Sequence, residues 1–272
     1  MERVGAAHDQ RSVPGFADAA IDVSVFHRSG QPAAGPGILY LHGGGMIFGN
    51  RFGGVGAYLP FVASHDAVVV AVDYRLAPEH PDPIPVEDCF AALRWAVSHA
   101  DELGIDPERL IVAGQSSGAG LAAGVTLLAR DRGETAIAAQ VLVSPMLDDR
   151  NDTVSAHQID GVGVWDRTSN DTGWTALLGD RRGRGDVAAS AAPACADDLA
   201  GLPPAFLSVG SAEVFRDETV AYASRIWASG GVAELHVWPG GFHGFENFAP
   251  GAAISQASAA ARDGWLARIL AA

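Results

Sequence analysis

Gly114-Gln115-Ser116-Ser117-Gly118 is the stretch of sequence that decides the fold. It follows a short apolar run, residues 110–113, that predicts a buried strand, and it precedes an Ala- and Leu-rich run, residues 119–130, that predicts a helix. A serine at the tip of a sharp strand-to-helix turn has a strained backbone, and flanking glycines remove the Cβ atoms that would clash there. A plain Gly- and Ser-rich connection would have the same composition. In its strand-to-helix context, the G-x-S-x-G pattern predicts a nucleophile elbow that presents the Ser116 hydroxyl above a sheet.

Length, composition and net charge limit the classes of protein to which this chain can belong. The chain has 272 residues, enough for one α/β domain with an insertion, and 48% hydrophobic with 18% charged residues indicates a folded globular protein. The net charge of −14 argues against nucleic acid and against anionic membrane surfaces as partners. No apolar run is long enough to span a membrane, and the first residues lack a hydrophobic signal core, so we expect a cytoplasmic protein.

The two cysteines are Cys89 and Cys195, too few for a disulfide framework and not spaced as metal ligands. We therefore expect no metal site. Cys89 falls within a predicted helix, where it is expected to be a small buried apolar side chain.

Strands alternate with helices along most of the chain, which predicts a mostly parallel sheet covered by helices on both faces. Catalytic side chains should then follow the carboxyl ends of strands. Residues 1–20 show no pattern that predicts a regular element. The predicted strands are residues 21–26, 38–41, 67–72, 110–113, 137–143, 205–209 and 233–237, and the predicted helices are residues 55–64, 85–103, 119–130, 217–229 and 252–271.

Residues 146–203 interrupt this alternation. The stretch is too long for an ordinary strand-to-helix loop, so we interpret it as a small, mostly helical, cap-like insertion that covers part of the active site. Its Trp165 and Trp174 could line a substrate pocket or anchor the insertion to the main body, and the sequence leaves both interpretations open. The prediction is one domain over residues 1–272 that contains this insertion.

A glycine-rich loop, His42-Gly43-Gly44-Gly45, directly follows a predicted strand. Three consecutive glycines lose much conformational entropy on folding, so a functional reason is expected. Backbone N–H groups that approach a ligand oxygen closely would supply one. The loop is therefore a candidate oxyanion hole that lies opposite the nucleophile elbow.

A serine nucleophile needs a base to take its proton and an acid to orient the base, and the chain order on this fold should be serine, acid, histidine. Three histidines follow Ser116. His157 lies in the insertion and His236 lies within a predicted strand, whereas His243 stands in a glycine-flanked loop after the last strand. We therefore predict His243 as the base.

The acid should follow the strand that ends at residue 209, which makes Glu213, Asp217 and Glu218 the candidates. Asp217 is predicted to open the following helix, where an N-cap role would explain it. We therefore favour Glu213 and keep Asp217 as the alternative.

Four segments together resemble the hormone-sensitive-lipase-like (bacterial type IV) esterases of the α/β-hydrolase fold. They are the His42 loop, residues 73–88, the elbow, and the loop of residues 239–245, in the correct order over about residues 20–270. The resemblance implies a Ser-acid-His carboxylesterase that acts without a cofactor on short- to medium-chain acyl esters. It also implies that the N–H groups of Gly44, Gly45 and Ser117 form the oxyanion hole.

The chain departs from the family pattern in three places. Gln115 and Ser117 flank the nucleophile where the family usually has Asp or Thr and Ala. The acid position holds Glu213 instead of Asp, although the thirty residues that separate it from His243 fit the family. Only 41 residues precede His42, so the expected N-terminal cap is short or absent and the pocket more open.

The expected partner is a small-molecule ester, and a homodimer is possible because similar proteins often pair through the last strand and helix. Two other functions remain open. The same residues could act on an amide or an acetylated small molecule, or the chain could be a non-catalytic ligand-binding protein on this fold.

Overall fold

Eight strands form one sheet in the computed structural model, which describes residues 6–30 and 33–271. The strands are β1 (Ala6–Pro14), β2 (Ala20–Arg28), β3 (Gly35–Leu41), β4 (Val68–Asp73), β5 (Ile105–Gln115), β6 (Ala139–Val143), β7 (Ala205–Gly210) and β8 (Ala233–Trp238). Their spatial order is β1-β2-β4-β3-β5-β6-β7-β8. The β1–β2 and β2–β4 pairs at one edge are antiparallel and the remaining pairs are parallel, so the predicted mostly parallel sheet is confirmed.

Helices cover both faces of the sheet, and alternate residues along each strand point to the two sides. The α-helices are α1 (Leu59–His65), α2 (Ile84–Ser98), α3 (Ala100–Leu103), α4 (Ser117–Arg132), α5 (Val154–Gln158), α6 (Arg167–Leu178), α7 (Arg216–Ala228), α8 (Phe245–Phe248) and α9 (Ala253–Leu270). In β3, Leu39 and Leu41 join an apolar cluster with α2, α4 and α7, whereas Ile38 and Tyr40 join a cluster with α1 and α9.

Three element predictions were wrong in detail. The helix predicted over 85–103 is divided into α2 and α3, because the backbone of His99 leaves the helical region. The helix predicted over 55–64 is a 3-10 turn followed by α1, whose first turn holds Pro60, a position where its missing N–H does no harm. β1 was missed, because this edge strand is only partly buried and lacks an apolar alternation.

The long connection between β6 and β7 contains all of residues 146–203. It contains α5, α6 and two 3-10 turns, Gly179–Arg181 and Pro193–Cys195. Irregular segments join these elements and make up more of the stretch than the predicted mostly helical insertion implies.

In residues 6–30 and 33–271, no helix combines the length and the apolar character that a bilayer crossing would need.

Candidate active site

The turn between β5 and α4 presents Ser116 at the carboxyl edge of the sheet. Its φ and ψ are 58° and −124°, and its backbone N–H donates to the Val143 carbonyl at 2.8 Å. A Cβ atom on Gly114 would collide with the backbone of Gly118, and one on Gly118 would collide with the carbonyl of Leu41. The two glycines therefore let strand, helix and neighbouring strand approach closely enough to force the sharp turn, as the motif predicts.

Three side chains form a continuous line of hydrogen bonds at this edge. His243 Nε2 lies 3.0 Å from Ser116 Oγ, and His243 Nδ1 lies 2.6 Å from Glu213 Oε2. Glu213 follows β7 and His243 follows β8, so the sheet brings together residues that are far apart in sequence. This arrangement has the geometry in which a histidine can take the serine proton while a carboxylate fixes the ring.

Glu213 is fully buried, and its charge is compensated locally. Its Oε1 atom accepts hydrogen bonds from the Gly210 N–H at 2.9 Å and from the Ser144 hydroxyl at 2.8 Å. A buried carboxylate needs such donors to replace the water that it has lost. The Phe215 ring meets the His243 ring edge-on, with 5.2 Å between their centroids, and limits the positions that the imidazole can adopt.

The alternative acid, Asp217, lies elsewhere. Its carboxylate accepts from the Ser155 N–H at 2.7 Å and from Arg216 Nε at 2.7 Å, and the position before α7 is held by Phe215. Asp217 is thus tied to α5 and does not cap α7 as predicted. Burial opposes ionisation here, but the hydrogen bonds from Arg216 and Ser155 leave the pKa of Asp217 below its usual value.

Glu218 is buried behind the site on α7. Its Oε1 atom accepts from the N–H groups of Leu147 at 2.7 Å and Asp148 at 3.3 Å, so it supports the backbone beyond β6. Burial raises the pKa of Glu218 well above its ordinary value.

The other two candidate histidines have different partners. His157 Nε2 lies 2.7 Å from Asp152, and His236 Nε2 lies 2.9 Å from Glu234 while its ring stacks on Trp238. Within the described part of the chain, His243 is the histidine that contacts Ser116.

The glycine loop after β3 packs directly against the turn that holds Ser116. A Cβ atom on Gly43 would lie 2.9 Å from the Gln115 carbonyl oxygen, and Gly44 and Gly45 have φ values of +133° and +60° that other residues rarely adopt. Among the described residues, the N–H groups of Gly44, Gly45 and Ser117 donate to no protein acceptor. That of Ser117 lies at the start of α4, where a developing negative charge is stabilised by the helix dipole.

The two tryptophans of the insertion have different surroundings. Trp165 is almost fully buried and its ring occupies the space into which a Gly45 side chain would project, with its centroid 6.3 Å from that of Phe48. Trp174 is completely buried in the apolar cluster that holds α2, α4 and α7. Complete burial favours the anchoring interpretation for Trp174, and Trp165 lies in the same cluster while it adjoins the candidate oxyanion loop.

Sequence reasoning missed two exposed phenylalanines that flank the site. Phe48 is 56% exposed beside the glycine loop, and Phe248 is 65% exposed with its ring against Gly244, next to His243. Their closeness in sequence to Gly45 and His243 was the available signal. Each ring therefore lies beside one of the two loops that adjoin Ser116.

In the described residues no three or more His, Cys, Asp or Glu side chains are grouped so that they could hold a metal ion. Cys89 and Cys195 are free thiols. Burial raises the pKa of Cys89, in keeping with the expected role as a small core side chain.

A parallel sheet with a serine elbow, a histidine loop and a glycine loop at its carboxyl edge defines an α/β hydrolase. The chain belongs to the family described as having the alpha/beta hydrolase fold, whose profile matches residues 38–247. It is 37% identical over 237 residues to the carboxylesterase NlhH of Mycobacterium tuberculosis, an alignment that covers 79% of this chain and 67% of that one. The predicted resemblance to the hormone-sensitive-lipase-like esterases is thereby confirmed.

Solved structures give the same result. A bacterial heroin esterase superposes with a TM-score of 0.91 and 38% identity, over 98% of this chain and 83% of that one. Esterase LipW from Mycobacterium marinum superposes with a TM-score of 0.90 and 34% identity, over the same shares of the two chains.

Proposed function

We propose that this protein is a serine carboxylesterase that hydrolyses short- to medium-chain acyl esters through an acyl-enzyme on Ser116. Family membership and its esterase relatives make it a carboxylic ester hydrolase. The observation that carries the finer proposal is the line of hydrogen bonds from Ser116 through His243 to Glu213, at 3.0 and 2.6 Å.

In the proposed reaction Ser116 Oγ attacks the ester carbonyl carbon while His243 Nε2 takes the hydroxyl proton. The tetrahedral intermediate collapses, the bond to the leaving oxygen breaks, and His243 gives its proton to the departing alcohol. A water molecule then transfers a proton to His243 as its oxygen attacks the acyl carbon. The bond between Ser116 Oγ and the acyl carbon then breaks, His243 returns its proton to Ser116 Oγ, and the carboxylic acid leaves. Throughout, Glu213 Oε2 accepts from Nδ1 of the same ring and stabilises the imidazolium.

The negative charge that develops on the carbonyl oxygen would be held by the N–H groups of Gly44, Gly45 and Ser117. Within residues 6–30 and 33–271 these groups have no protein acceptor, which supports this role because buried or constrained N–H groups are normally paired. Donors that are already fixed need no reorganisation during the reaction, which makes such electrostatic stabilisation a large contribution to catalysis.

The residues around Ser116 favour an ester substrate whose acyl or alcohol group is apolar. Phe48 and Phe248 expose their rings beside the glycine loop and the histidine loop, and the chain as a whole is acidic. An uncharged ester with a short to medium apolar chain could cover part of these rings, and each buried CH₂ contributes about 0.8 kcal/mol.

The test is hydrolysis of p-nitrophenyl acetate, butyrate and octanoate by the wild type and Ser116→Ala, with p-nitroacetanilide as the matched amide. We expect the esters to be turned over with an initial burst of p-nitrophenol if deacylation is slow, and the variant to be inactive. Equal rates for wild type and variant would overturn the proposal. A higher kcat/KM for the anilide than for the acetate would replace it with an amidase.

We also propose a homodimer that pairs through β8. This strand ends the sheet, and Val237 on it and Val232 beside it are exposed, as is Trp227 on α7. An exposed apolar strand edge commonly pairs with another chain. Light scattering after gel filtration should give twice the mass of one chain for the wild type and the mass of one chain for Val237→Lys. A wild-type monomer would contradict the pairing.

The cytoplasmic location stays a prediction.

A further inference from the structure

Ser144 occupies an unusual position directly after β6. It is buried, and its φ of +47° lies in the left-handed region that residues other than glycine rarely adopt. Its N–H donates to the Ser208 carbonyl at 2.7 Å, which holds the backbone in place. Its hydroxyl donates to Glu213 Oε1 at 2.8 Å. Strained backbone persists where the surrounding structure enforces it, and such residues cluster at functional sites.

The same strand end also holds the nucleophile. The Val143 carbonyl accepts from the Ser116 N–H at 2.8 Å, and the Met146 N–H donates to the Ser116 carbonyl at 3.1 Å. Residues 143–146 are therefore bonded to the backbone of Ser116 on one side and to the carboxylate of Glu213 on the other. A shift of this segment would move both ends of the hydrogen-bonded line.

Glu213 has one more rotatable bond than the Asp usual at this position of the family, so its carboxylate needs more restraint. Two neutral donors, the Gly210 N–H and the Ser144 hydroxyl, hold Oε1 and leave Oε2 directed at His243 Nδ1. We infer that Ser144 is a positioning residue, an inference that rests on the proposed function. Its hydroxyl orients the Glu213 carboxylate toward His243, and its strained backbone is maintained because it aims that hydroxyl.

The hydroxyl also affects the protonation of the pair. A donor to a buried carboxylate stabilises its negative charge, most strongly when the neighbouring imidazole is neutral. Without that donor the carboxylate would hold a proton on His243 more tightly. The other ionisable groups facing Glu213 are Glu218 on α7 and Glu246 on α8, and burial raises the pKa of both. Neither carboxyl group hydrogen-bonds to Ser144: Glu218 accepts from the Leu147 and Asp148 N–H groups, and Glu246 accepts from the Ser258 hydroxyl.

The first experiment compares Ser144→Ala and Ser144→Gly with the wild type across the pH profile of kcat and KM. Loss of a hydrogen bond to a charged group should lower kcat on the order of tenfold, with KM changed less than about twofold. The acid limb of the profile should move to higher pH. Glycine adopts a φ of +47° readily, so Ser144→Gly should match Ser144→Ala in activity and exceed it in Tm.

Ser208→Ala is the matched control. This serine is as buried as Ser144, but its hydroxyl contacts Ser258 and the Trp238 ring nitrogen and not Ser116, His243 or Glu213. It should retain the wild-type profile even if it loses some stability. A fall in kcat without movement of the acid limb in either Ser144 variant would mean a merely structural role and would overturn the inference.

A second readout does not depend on turnover. Titration of the His243 Cε1–H signal by NMR, assigned with His243→Asn, should give a higher midpoint in both Ser144 variants than in the wild type. If the wild type is inactive but the His243 midpoint is still higher in the Ser144 variants, the proposed function is rejected and the coupling between Ser144 and His243 is kept. If the wild type is active and the His243 midpoint is the same in the Ser144 variants, only the inference about Ser144 is rejected.

Discussion

Two single substitutions distinguish Glu213 from Asp217 as the acid that orients His243. Glu213→Gln removes the charge that holds the His243 ring and stabilises the imidazolium, so kcat should fall on the order of a thousandfold or more. Asp217→Asn removes contacts to α5 and Arg216 only, so kcat should fall less than about tenfold. Steady-state kinetics with circular dichroism as the check on folding measures both. The reverse order of effects would make Asp217 the acid.

Glu218 should make the fold less stable as the pH rises. Burial raises its folded-state pKa well above the ordinary value of 4.5. The unfolded chain therefore releases this proton first, and the stabilisation by the neutral acid is present below pH 4.5 and lost as the pH rises toward the folded-state pKa. Glu218→Gln keeps a carbonyl acceptor for the Leu147 and Asp148 N–H groups without the titration.

Urea unfolding of Glu218→Gln from pH 4 to pH 9 should show a smaller fall in the free energy of unfolding than the wild type does. Glu108→Gln, on the exposed surface, should leave the wild-type slope unchanged. Parallel curves for Glu218→Gln and the wild type would show that Glu218 does not carry this dependence.

The residues of the site differ in how far sequence reveals them. Ser116 and His243 could be identified as candidates from the sequence, because the elbow motif specifies the serine and the loop after the last strand specifies the histidine. Glu213 could be favoured but not fixed, since Asp217 lies four residues on and the choice depends on side-chain direction. Ser144 was missed because its contact joins residues 69 positions apart and its left-handed backbone has no sequence signal.

At the scale of elements, the glycine loop should tolerate no side chain at Gly45. A Cβ atom there would collide with the Trp165 ring, and the φ of +60° already disfavours other residues. Gly45→Ala should displace the loop and its N–H groups, and loss of one such donor lowers kcat on the order of a hundredfold or more. Esterase kinetics measures this, and near-ultraviolet circular dichroism should report the displaced Trp165.

Gly56→Ala is the matched control, because a Cβ atom there meets nothing within 4 Å. We expect wild-type kinetics from it. Unchanged kcat in Gly45→Ala would exclude the loop from the oxyanion hole.

The strands were predicted better than the other elements for a physical reason. Strands buried on both faces, such as β3, β4 and β7, read as continuous apolar runs bounded by turn residues. The edge strand β1 and the connection between β6 and β7 lack that signal, since their backbones are fixed by pairing and long-range contacts instead of by periodic burial.

At the scale of the whole molecule, Asp88 joins three distant segments. Its carboxylate on α2 accepts from the Phe16 N–H at 2.8 Å, between β1 and β2, and from the Arg75 guanidinium at 2.8 Å, beyond β4. Asp88 is fully buried. Removal of one partner from a buried pair leaves the other uncompensated.

Asp88→Ala should therefore lower the free energy of unfolding by about 3 kcal/mol, toward the smaller end for buried pairs because Arg75 keeps some contact with water. Glu134→Gln breaks the exposed pair with Arg94 and should cost less than about 1 kcal/mol. Urea unfolding followed by tryptophan fluorescence measures both, and equal losses would show that Asp88 does not join these segments.

The left-handed backbone at Ser116, with φ at 58°, has a consequence for how such a sequence evolves. Glycine would relieve the strain at this position, so under the proposed function the serine is maintained at a cost in stability by selection for the reaction. A lineage that no longer needed the hydrolysis would drift toward glycine at residue 116. The proteins of that lineage would gain stability as they lost their activity.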